Sequence, residues 1–202
     1  MTSSPDPGAS GFAARLAAVW DDYAADRPRR GAGLGLGLVQ DHPGHGEAWY
    51  AYACCLERLG AWRDADCAFA RAARARESPQ ATPYRISLAR FHGAVAAARD
   101  ALPGDLRRSL DEVAVVIADY AHPAQLAGFA EPELLGLFSG PPRAERHDAG
   151  GTMPTIHLWR RAHEHHCHDA AGMRSEIRQT LWHELGHYLG YDEDELDALG
   201  RG

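Results

Sequence analysis

The residues from Thr180 to Glu193, TLWHELGHYLGYDE, constrain this chain more than any other stretch. On an α-helix, side chains four positions apart stand one above the other, so His183 and His187 share a face and can reach one cation. Zinc takes imidazole nitrogen readily, and a catalytic zinc site uses three protein ligands with a fourth position open to water. Glu184 stands beside His183, placed to accept a proton from that water.

The remainder of the helix is consistent with this. Ile177, Leu181, Leu185 and Leu189 recur every four residues and form an apolar stripe roughly opposite the two histidines. One face is thus expected in a core and the other in a cleft. Gly190 follows where a helix commonly ends in a left-handed residue. Beyond it the chain reverses, which is expected to aim Glu193, six residues past His187, at the metal; Asp192 is the alternative third ligand.

At 202 residues the length suits one or two domains and is ample for a core. The net charge is −7 and all 21 basic residues are Arg, which argues against a surface that coats nucleic acid. No run approaches the roughly 18 apolar residues of a membrane span. The first ten residues lack the charge and apolar centre of a secretory leader and are expected to be a disordered tail. A cytoplasmic protein with reduced cysteines (Cys54, Cys55, Cys67 and Cys167) is the expectation.

Within residues 11–83 the chain reads as helical. Trp49, Tyr52, Ala53, Leu56, Gly60, Ala65, Phe69 and Ala72 stand at the spacing of a tetratricopeptide repeat, with Gly60-Ala61-Trp62 as its turn. Cys54, Cys55 and Cys67 then read as small buried thiols on those helices. Phe12 to Asp41 has the place of an earlier, decayed unit, although its glycines, Gly31, Gly33, Gly35 and Gly37, each cost up to ~1 kcal/mol inside a helix. Such a repeat offers a surface for a protein partner.

Residues 84–202 read differently. Tyr84, Leu88, Phe91, Val95, Ala98 and Leu102 form one apolar seam and predict a long helix. Val113 to Tyr120 is a continuous apolar run that predicts a buried strand, followed by weaker strand candidates at Leu134–Phe138 and Thr155–Trp159. The Gly- and Pro-rich stretch from Ser139 to Pro154 joins the last two as a hairpin. The fold class expected is α+β: a small mixed sheet backed by the His183 helix, preceded by an all-α segment.

From about Phe91 onward the chain resembles the minimal zincin-like metallopeptidases. The residues that carry the resemblance are Leu102-Pro103, Leu135 to Pro141, Ile156 to Arg161 and the motif from Trp182 to Glu193. The resemblance implies a zinc-dependent peptidase: Zn2+ held by His183, His187 and an acid after Gly190, Glu184 as general base, and a peptide or protein as substrate. It also implies substrate pairing with a sheet edge, for which the Ile156 strand is the candidate here. Unlike larger metzincins, the chain has no Met after His187.

A second cluster, His163, His165, His166, Cys167 and His168, lies outside that motif. Read as a loop, it is a candidate second metal site, a cap on the first, or a source of transition-state stabilisation. Were it to close the coordination sphere, the alternative function would follow: a non-catalytic, zinc-stabilised interaction protein whose repeat binds a partner.

Overall fold

A run of alternating Gly and Leu is poor helix material in isolation, yet Pro28–Asp41 is a helix. The computed structural model describes residues 7–145 and 153–198, with side chains from 11 onward. It opens with four helices: α1 (Pro7–Ala24), α2 (Pro28–Asp41), α3 (Gly46–Arg58) and α4 (Trp62–Ala73). A Cβ on Gly35 would lie 3.1 Å from Tyr52, and one on Gly31 would lie 2.8 Å from Cys55 Sγ. Gly31 and Gly35 therefore let α2 approach α3 closely, and the packing so gained offsets the helix cost of the glycines. Of the segment expected as a tail, residues 1–6 lie outside the described residues, and α1 already begins at Pro7.

The α3–α4 turn falls at Gly60 with φ of 74°, a conformation cheap only for glycine. Ala53, Leu56, Ala65, Phe69 and Ala72 are buried along the hairpin. Cys54 and Cys55 are buried too, whereas Cys67 is exposed, contrary to the expectation of a buried thiol.

By its contacts the chain divides into two units, Met1–Thr82 with His122–Pro132, and Pro83–Ala121 with Glu133–Gly202. The first thus includes a short helix, α7 (Pro123–Leu126), which follows α5 (Leu88–Asp100), α6 (Gly104–Leu110) and β1 (Ala114–Ala118) in the chain. After α7 come β2 (Gly136–Ser139), a 3-10 turn at Arg143–Glu145, β3 (Thr155–Trp159), α8 (Arg160–His166), α9 (Ala170–Leu189) and α10 (Glu193–Ala198).

The seam predicted as one helix from Tyr84 to Leu102 is helical only from Leu88 to Asp100. Tyr84 to Ser87 stays non-helical because other groups claim its backbone. Tyr84 N–H donates to the Glu164 carbonyl at 2.9 Å, and Ile86 N–H to Glu164 Oε1 at 2.9 Å. Ser87 then caps α5, its hydroxyl accepting from Arg90 N–H.

The sheet runs β1-β3-β2, with β1 parallel to β3 (Val115 opposite Ile156) and β2 antiparallel to it (Phe138 opposite Ile156). Two expectations change. The Val113–Tyr120 run is not a fully buried strand: β1 is an edge of the sheet, only half-buried, with Val116 44% exposed. The Ile156 strand is the centre of the sheet, so it cannot pair with a substrate; the edges are β1 and β2. Ile156 and Leu158 are fully buried in one core with Phe91, Leu110, Met173, Ile177, Leu181, Leu185 and Tyr188. That core seats α9 on the sheet and fixes which of its faces remains open.

Candidate metal centre

Helix α9 starts at Asp169, whose side chain accepts from the N–H groups of Ala171 and Gly172. It stops at Gly190, which has φ of 97°, and Tyr191 N–H closes the last turn on the Gly186 carbonyl. Between them Ile177, Leu181 and Leu185 are buried, while His183 and His187 are partly open.

The two imidazoles converge, with Nε2 atoms 3.0 Å apart. Glu193 closes the triangle: Oε2 lies 3.5 Å from His183 Nε2 and Oε1 lies 3.2 Å from His187 Nε2. With bonds of about 2.0–2.1 Å, tetrahedral zinc sets its ligand atoms about 3.3 Å apart. These donors match that spacing, and they are the one group of three or more His, Cys, Asp or Glu side chains gathered in this way among the described residues. His187 Nδ1 lies 3.1 Å from the Tyr191 carbonyl, an acceptor only. The proton therefore belongs on Nδ1 and the lone pair on Nε2, the tautomer a metal requires.

Asp192, the alternative, is engaged elsewhere. Its Oδ1 accepts from Glu195 N–H at 2.9 Å, while Glu195 Oε2 accepts from Asp192 N–H at 3.0 Å, a reciprocal cap that starts α10. Leu196, 1% exposed, then holds α10 against α9 at Gly186.

Glu184 is buried against β2. Its Oε2 accepts the Phe138 N–H at 2.6 Å. Burial pushes the carboxyl above its usual range, against the pull of His183, the Phe138 N–H and His187. A Cβ on Gly136 would lie 2.6 Å from Thr180 Cγ2 and 2.9 Å from Glu184 Cγ. Glycine is needed there, and sequence reasoning passed over it, although an isolated glycine within a strand candidate marks a close approach.

The second cluster lies on a helix and its C-terminal end, not in a loop, and its members diverge. His163 is fully buried, its Nδ1 2.8 Å from the Trp159 carbonyl and its ring edge-on to Phe91; burial drives its pKa down to about 4. Cys167 is buried and its thiol is pushed up to about 11, chiefly by desolvation. His165 Nδ1 sits 2.9 Å from Glu133 Oε2, His166 Nε2 lies 3.4 Å from Glu176 Oε2, and His168 is exposed. Glu164, between them, is buried beneath Arg85, Arg160 and Arg161 at 3.0, 2.9 and 2.6 Å. No three of the five cluster members meet.

Residues 110–202 match the family of zincin-like metallopeptidases. The match takes in all three strands and every residue of the triangle. No curated protein matches the chain.

Proposed function

We propose that this chain, whose carboxyl-terminal part matches the zincin-like metallopeptidases, is a zinc-dependent peptidase centred on α9. The triangle formed by His183, His187 and Glu193 carries the reading: its edges of 3.0 to 3.5 Å fit one tetrahedral zinc and leave a coordination position unfilled. Zinc bound there would supply a Lewis acid for the peptide carbonyl and lower the pKa of water.

The chain's own residues account for the rest. His183 and His187 would hold the metal through Nε2, His187 being oriented by the Tyr191 carbonyl. Glu184 serves as general base. Phe138 N–H anchors its Oε2, which leaves Oε1 to take a proton from the attacking water and return it to the departing amine. Burial raises its pKa above the usual carboxylate range in the metal-free site. Beside it β2 is an edge of the sheet, and an extended peptide would pair there with the backbone groups other than the Phe138 N–H, which Glu184 already takes. Native mass spectrometry tests the premise: about one zinc per chain is expected, and a chain that takes up none contradicts it.

A further inference from the structure

Next to His183 and Glu184 lies a cavity of about 280 Å³, walled by the segment that leads into β2 and the middle of α9. Two carboxylates, Glu133 and Glu176, stand in its wall together with the apolar Leu134 and Leu135. Among its described lining residues there is no Arg, in a chain whose basic residues are all Arg. Both carboxylates are largely withdrawn from solvent, their side chains 21% and 23% exposed.

We propose that this cavity is the specificity pocket of the peptidase and that it selects substrates with a basic side chain, Arg or Lys, beside the scissile bond. The inference rests on the peptidase reading and names the substrate class of that site. Leu134 and Leu135 match the methylene stem of such a side chain, and the two carboxylates its charged end. With solvent partly excluded, attraction to a cation and repulsion of an acid both exceed their values in water. The pocket also gives the second histidine cluster a place. His165 Nδ1 lies 2.9 Å from Glu133 Oε2 and His166 Nε2 lies 3.4 Å from Glu176 Oε2, so both carboxylates are reached from the end of α8. The role of His165 and His166 is positioning.

The test uses the zinc-loaded full chain and alanine-rich decapeptides in which one scanned position carries Arg, norleucine or Glu. Cleavage beside Arg should exceed that beside norleucine by at least about tenfold in kcat/KM, and Glu should be poorest. Glu176→Gln and Glu133→Gln should each collapse the Arg-to-norleucine ratio, and Glu176→Arg should move the preference toward Glu peptides. Equal rates for Arg and norleucine, or an unchanged ratio in all three variants, overturn the pocket assignment while leaving the peptidase reading intact. A second arm measures binding of the labelled peptides to the Glu184→Gln chain by fluorescence anisotropy. If the wild-type chain cleaves none of the peptides, tighter binding of the Arg peptide that depends on Glu176 supports the pocket and contradicts the peptidase reading. No preference in binding and no cleavage by the wild-type chain overturns both.

Discussion

Leu196 rests on Gly186 so closely that a Cβ added to the glycine would lie 2.4 Å from Leu196 Cδ2. Glu193, three residues earlier on the same helix, is thereby set in place beside the histidines. Replacing Gly186 with Ala should push α10 outward. Overpacking costs about 1–3 kcal/mol, against a gain of up to about 1 kcal/mol in helix propensity. Stability should thus change little while zinc affinity falls. In Gly186→Ala/Leu196→Ala the loss should be smaller than the sum of the single losses, as competition with a chelator can measure.

Glu193 and Asp192 are adjacent but differently employed. Glu193→Ala removes a donor from the triangle and should weaken zinc binding by more than about 100-fold, beyond the usual effect of an outer partner. Asp192→Ala removes a helix cap worth about 1 kcal/mol and should weaken it by less than about tenfold. Titration of both variants with zinc checks the order, and a larger loss for Asp192→Ala reverses the assignment.

On the proposed reading of Glu184 as general base, Gly136 bears on proton transfer and not on the metal. Its substitution by Ala forces Thr180 or Glu184 to move, since the new methyl would fall within 3 Å of both. Zinc content should stay at the wild-type level, while kcat falls by on the order of 10²-fold through displacement of Glu184. A loss of metal in this variant would show that Glu184 supports the ligands directly.

His163 makes stability depend on pH. Its folded pKa is pushed down to about 4, from an ordinary value of 6.5, because burial disfavours the charged ring. Between these values the unfolded chain takes up the proton and the folded chain does not. The stability present above pH 6.5 is therefore lost as pH falls toward 4, on the order of 3 kcal/mol in all. Urea unfolding from pH 7.5 to 4.5 should show this loss, and His163→Phe at matched zinc should show a flatter profile.

The parts of the site that rest on local geometry were legible in the chain. Four-residue spacing brings His183 and His187 together, Gly190 ends their helix, and both rules need only neighbouring residues. Thr155–Trp159 was recognisable as a strand, but its central place was not, because strand order is decided by which edges distant segments cover. The helix over Gly31–Gly37 was obscured for the same reason: propensity counts against it, and the packing of Tyr52 and Cys55 that outweighs propensity comes from another helix. Gly136 and the Phe138 N–H matter only once α9 lies against β2. The second histidine cluster suggested a single site by its density, yet a helix points consecutive side chains in different directions, and their partners, Glu133 and Glu176, are remote in sequence.

The central claim is that the triangle binds the zinc that Glu184 serves. It is tested most directly by measuring hydrolysis of a mixed peptide library by the zinc-loaded chain and by Glu184→Gln, with zinc content determined in the same samples. About one zinc per chain is expected in both proteins, with cleavage by the wild type and a loss of at least about 10²-fold in the variant. Cleavage retained by Glu184→Gln with its zinc in place would contradict it.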